Sequence, residues 1–143
     1  LVPLIFRRPM AYVNYVPVEY FSTFNSRILG IFKHHFSIKS NQNLSLREIF
    51  MNDDGSPSMT SNYESKDILL IENTPEEILE VVIEMHERIK GTWQLHDDDE
   101  LLQQKFWEIF PVDALDKEGL AIHGLIHSRF GASFLRNNQW WLE

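Results

Sequence analysis

The 143-residue chain has no cysteine, which excludes a disulfide framework and any thiolate metal site. Its six glycines stand singly, at Gly30, Gly55, Gly91, Gly119, Gly124 and Gly131. Neither a GxGxxG dinucleotide fingerprint nor a Walker-type phosphate loop can be built from them, and no nucleophile elbow occurs. No apolar run approaches the ~20 residues that cross a bilayer. The opening LVPLIFRRPM has no basic residue ahead of its apolar stretch, so it makes a poor secretory signal. Basic residues are scarce, with 13 Lys and Arg against 21 Asp and Glu and a net charge of −8. Such an acidic chain is ill suited to general nucleic-acid binding. These absences point to a cytoplasmic protein with no transmembrane segment.

What is present is mostly apolar and aromatic. The chain is 43% hydrophobic, with ten Phe, four Tyr and four Trp, enough for one core in a single domain. Charge is unevenly spread. Residues 1–50 hold Arg7, Arg8, Arg27, Lys33, Lys39 and Arg47 against Glu19 and Glu48 alone, so this half can receive a phosphorylated small molecule. The chain opens at Leu1 inside an apolar run. The expectation is a single incomplete domain over residues 1–143, the C-terminal part of a longer protein.

The clearest element is a helix over residues 74–90. Thr74 serves as N-cap, Pro75 suits the first turn, and Glu77 three residues on closes a capping box. Arg88, Lys90 and Gly91 form a fitting end. Ile78, Val82, Met85 and Ile89 are expected to face the core, with Glu80, Glu84 and Glu87 on a solvated face. Ser45 and Glu48 form a second capping box. QLHDDDELLQQKFWEIFP reads as a helix starting near its aspartates and ending before Pro111, and residues 116–143 as mostly helical, with Leu120, Ile126, Phe130, Phe134 and Leu135 compatible with a long buried stripe. PMAYVNYVPV and KDILLIEN read as strands, FNSRILGIF as helical with a weak point at Gly30, and residues 52–65 as a flexible loop of turn formers. LVPLIF is compatible with helix or strand.

Candidate chemistry is sparse. His86-Glu87 lacks the second histidine of a zinc-protease helix, since position 90 is lysine. His123 and His127, four apart on an expected helix, would share a face. With the acids of HDDDE, residues 96–100, they offer a metal-dependent hydrolase as an alternative. The bland reading of these acids is dipole pairing at a helix start. His34 and His35 beside Lys33 read as surface residues. No residue is assigned a catalytic role.

Four stretches carry a resemblance in chain order: VPLIFRRPMAYVNYVPVEY, IFKHHFSIKSNQNLSLREIF, IENTPEEILEVVIEMHERIKGTW and HSRFGASFL. Together they resemble the C-terminal portion of a bacterial glycosyltransferase family. That family is similar to GT-B-fold enzymes and is associated with surface-polysaccharide synthesis. The resemblance implies a partial Rossmann-like α/β fold, the C-terminal half of a GT-B enzyme, with few parallel strands and four or five helices. It implies no covalent cofactor, and a nucleotide-diphosphate sugar as substrate of the intact enzyme. The donor would sit near the loop after AYVNYVP, where strands end and a helix begins. Asn14 would hydrogen-bond the donor, Glu19 would accept from ribose hydroxyls, and Arg7, Arg8 and Lys33 would meet the diphosphate. The acceptor domain, with its general base, would be the missing N-terminal partner, leaving this chain inactive alone. The rival expectation is a non-catalytic interaction module, with an exposed sheet edge favouring a homo-oligomer.

Overall fold

A computed structural model describes residues 2–52, 60–116 and 118–143. The chain is a mixed α/β structure built on two three-stranded sheets. The first is parallel. Its strands β1 (Met10–Tyr15), β2 (Ile28–Phe32) and β6 (Arg129–Phe130) lie in the order β1-β2-β6. The second is antiparallel, with β3 (His34–Ser37) flanked by β4 (Gln42–Asn43) and β5 (Ile68–Ile71). Only Lys33 separates β2 from β3, so residues 28–37 supply the central strand of both sheets.

This corrects the expected helix around FNSRILGIF. Every residue of β2 is buried, and a strand covered on both faces shows no alternation that would distinguish it from a buried helix. Gly30 is required by packing: a Cβ there would lie 2.4 Å from Cε2 of the Phe21 ring.

Local signals set the helices well. Helix α4 spans Pro75–Lys90, with the Thr74–Glu77 capping box formed and Gly91 at φ 70 as its left-handed end. Helix α2 (Leu46–Met51) has the Ser45–Glu48 box. Helix α5 spans Asp99–Ile109, and α1 is a single turn, Val2–Ile5. Residues 60–65, expected in a loop, form the short helix α3 (Thr60–Ser65); residues 53–59 of that expected loop lie outside the described residues.

The C-terminal region is largely not helical. Among the described residues after 116, only α6 (Ala132–Asn137) and a 3-10 turn, Gln139–Leu142, are helical. The reason is local: Asp116 Oδ1 accepts from the Glu118 and Leu120 N–H groups at 2.9 and 2.8 Å. That side-chain bonding closes a turn and competes with a helix. Leu120 and Ile126, expected in a buried stripe, are exposed, whereas Phe130, Phe134 and Leu135 are buried.

The core is an aromatic stack over the parallel sheet. Phe130 on β6 lies 4.3 Å from Phe106 of α5, 4.8 Å from Phe32 of β2 and 5.4 Å from Trp141, centroid to centroid. Strand β6 is at the edge of its sheet, yet its outer backbone is satisfied. Buried Gln103 of α5 donates from Nε2 to the Phe130 carbonyl at 2.5 Å and accepts from the Phe130 N–H at 3.1 Å. One side chain thus replaces the hydrogen bonds of a missing neighbour strand.

Helix α4 is rotated from the expected setting. Val81 and Glu84 are buried and Ile78 and Met85 half-buried, while Val82 and Ile89 are exposed. The turning residue is Glu84, expected in solvent. Its Oε2 accepts from the Ala132 N–H at 2.8 Å and its Oε1 from Arg88 Nε at 2.9 Å. The carboxylate thereby fills an unsatisfied donor at the start of α6. Alongside, Asp99 pairs with Arg136 at 2.5 Å, so α6 is tied by one carboxylate from α4 and one from α5.

Candidate functional site

The C-terminal ends of β1 and β2 meet the N-terminus of α4, and the joint is made by two asparagines. Asn14, with φ 52, takes the left-handed conformation that asparagine tolerates better than most residues. Its N–H donates to Asn73 Oδ1 at 2.7 Å, and its Oδ1 accepts from the Asn73 N–H at 2.6 Å. Buried Asn73 also donates from Nδ2 to the Phe32 carbonyl at 2.7 Å. Asn73 therefore fastens both strand ends to the residue before the Thr74 cap.

Two cationic or polar side chains line the same rim. Lys33 Nζ lies 3.5 Å from Glu72 Oε1, a long and exposed pair that holds the lysine weakly. His34 Nε2 lies 2.9 and 3.1 Å from the two oxygens of Glu77, and its ring stacks on Phe134 at 5.3 Å. A carboxylate on one ring nitrogen orients an imidazole and sets which nitrogen carries the proton. After β1, Glu19 sits in a 3-10 turn, Val18–Tyr20. Beside it the Tyr15 hydroxyl donates to the Tyr20 carbonyl at 2.7 Å. Burial, with Tyr12 and Glu19 nearby, pushes the Tyr15 phenol up to about 12, so it stays protonated.

Of the five residues expected at a donor site, Asn14, Glu19 and Lys33 lie around the C-terminal ends of the strands. Arg7 and Arg8 precede β1 and lie at its opposite end, where the Arg7 carbonyl accepts from the Arg27 guanidinium and the Arg8 N–H bonds to Pro3. A six-residue strand puts roughly 20 Å between them and Asn14. The structure does not bring them together with Lys33.

The His123–His127 pair also comes apart as a ligand set, because residues 121–128 are not helical. His123 is buried against Phe110, 4.8 Å between ring centroids, and burial lowers its pKa while a hydrogen bond that its ring donates to the Glu19 backbone opposes this. His127 is exposed, with its N–H on the Thr23 carbonyl. Among the described residues, no three His, Asp or Glu side chains are grouped to hold a metal ion.

Sequence reasoning missed Asn73, His34 and Glu77 as parts of one rim. Asn73 could be read only as a residue before a cap, and Glu77 as the capping-box acid. Their common neighbours, Asn14 and His34, are far away in the chain.

His35, on β3, faces the opposite way and is buried beside Tyr63, 5.7 Å between rings. Its Nδ1 lies 3.0 Å from the Lys33 carbonyl. Burial lowers its pKa from 6.5 to about 4, with the Lys33 carbonyl opposing and His34 adding slightly. As pH falls, the unfolded chain binds this proton before the folded one does. The contribution is therefore complete above about pH 6.5 and lost as pH falls towards 4, a decline of up to about 3 kcal/mol at about 1.4 kcal/mol per pH unit. Urea unfolding at several pH values should show this slope, and His35→Phe should flatten it. An unchanged slope in the variant would exclude His35 as its source.

No family model matches the chain, and neither does any curated protein or solved structure. Among the described residues, no helix is long and apolar enough to cross a membrane.

Proposed function

We propose that this chain is the nucleotide-sugar-binding segment of a GT-B-like glycosyltransferase of surface-polysaccharide synthesis, with a partial Rossmann-like fold, inactive without an acceptor domain. One observation carries the reading: two parallel strands end where the sixteen-residue helix α4 begins. Ligands of open parallel sheets gather at such strand ends, and a helix N-terminus there favours phosphate. Lys33, loosely paired, would meet the diphosphate. Asn14 and Glu19 would flank the sugar or base. Arg7 and Arg8, at the other strand end, drop out of this donor set. The bound diphosphate would be stabilised electrostatically as it leaves.

UDP, GDP and CMP titrated into the isotope-labelled protein should shift the backbone resonances of Asn14, Lys33 and His34 saturably. Lys33→Ala should weaken the response about three- to tenfold, the worth of one charge on a phosphate. Silence from all three nucleotides would sink the reading.

A non-catalytic interaction module is the second reading. It is favoured by Leu79, Val82 and Ile83, which α4 leaves exposed on one side. It expects no nucleotide response, so the same titration separates the two.

A further inference from the structure

The opposite end of the parallel sheet holds a second candidate site. Where β1, β2 and β6 begin and α4 ends, a cavity of about 430 Å³ opens, within the size range of small-molecule pockets. Its apolar wall includes Leu29, Met85 and Ile89, and its polar wall is Ser26 with three arginines, Arg27, Arg88 and Arg129. They come from three different elements: the turn before β2, helix α4 and strand β6.

The charges do not cancel. Arg88 is paired with Glu84 and Arg129 with Glu100. Arg27 donates to the Arg7 carbonyl, a neutral partner, and forms no ion pair among the described residues. One guanidinium is therefore uncompensated in a chain whose net charge is −8.

The hydrogen bonding is also incomplete, and always on the donor side. Arg129 Nε is shielded from water and has no acceptor. The same holds for Nε1 of Trp93, over whose ring Arg88 lies at 5.1 Å. Arg88 and Arg129 also wall a neighbouring depression that includes Trp93. Buried donors without acceptors are costly. A carboxylate supplies acceptors alone, and its planar geometry matches a guanidinium fork. With 29% of the Arg129 side chain exposed, that residue can turn its free edge to a ligand.

We infer that this cleft binds a small organic carboxylate carrying an apolar group. The carboxylate lies between Arg27 and Arg129, and the apolar group rests on Leu29, Met85 and Ile89. This site is separate from the rim at Lys33, and does not depend on the nucleotide reading.

The test is a titration of the whole chain with 4-phenylbutyrate, following the arginine Nε–H and Trp93 indole resonances. Saturable shifts are expected with a dissociation constant of about 1 mM or tighter. The neutral 4-phenylbutanamide and inorganic phosphate should each bind at least about tenfold more weakly, one lacking the charge and the other the apolar body. Arg27 is exposed, so Arg27→Gln should keep the spectrum of the folded chain yet bind at least about fivefold more weakly. Arg129→Gln is the second variant, expected to act in the same direction. No saturable shift up to about 20 mM, equal binding of the amide or of phosphate, or unweakened binding by the folded Arg27→Gln chain would overturn the inference.

Discussion

Glu84→Ala should lower the unfolding free energy by about 3–5 kcal/mol, the cost of removing one partner from a buried ion pair. Glu84 is only 1% exposed, and its two oxygens serve two elements. Losing them strips the Ala132 N–H at the start of α6 of its acceptor. It also leaves Arg88 without its carboxylate, whose Nη2 lies 2.7 Å from Oε1 but is misaligned for a second hydrogen bond. Burial holds the Glu84 carboxyl above its ordinary 4.5, with Ala132 and Arg88 pulling it down. As pH rises, the unfolded chain therefore ionises first. The favourable share from this group is full below about pH 4.5 and shrinks above it, opposite in sign to the slope from His35. Glu84→Gln keeps an acceptor for Ala132 and should recover part of the loss. Urea unfolding of both variants at neutral pH measures this. An alanine variant within about 1 kcal/mol of the parent would show that the network contributes little.

Phe130→Ala should cost a similar amount, about 3–5 kcal/mol, the range for deleting a buried phenyl ring. Phe130 is fully buried, and its ring meets others from β2, α5, α6 and the closing 3-10 turn. No single neighbour can collapse into the space, so a cavity should remain. Phe130→Leu fills most of it and should cost about 1–2 kcal/mol. Chemical denaturation distinguishes the cases: equal losses for Leu and Ala would locate the effect in aromatic geometry rather than volume. Small domains have only about 5–15 kcal/mol to lose, so either alanine variant leaves a marginal fold. Both act on the seating of α6, and their effects should not add.

The two sites differ in how far the sequence reveals them. Asn14 lies in β1, Glu19 shortly after it and Lys33 just after β2, and the parallel pairing of β1 with β2 sets Asn14 and Lys33 at the same end of the sheet. Arg27, Arg88 and Arg129 come from distant segments and fit no motif. Only the parallel pairing of Leu29 with Arg129 and the docking of α4 assemble them. Arg7 and Arg8 are adjacent to the same strand as Asn14, but a strand is long and its ends do not meet.

By itself the sequence determined the features whose interactions lie within one turn of chain. The start of α4 at Thr74, Pro75 and Glu77, its end at Gly91, the box at Ser45 and Glu48 and the end of α5 before Pro111 are all of this kind. Each rests on a cap or a backbone restriction between neighbours. Only the tertiary structure decided that residues 28–37 are central strands rather than helix, that β2 pairs with β6 a hundred residues on, and that Glu84 points inward. The physical reason is shared. A segment buried on both faces has no readable period, and a carboxylate is buried only where a distant N–H and a cation await it. Such partners are defined by packing, not by spacing along the chain.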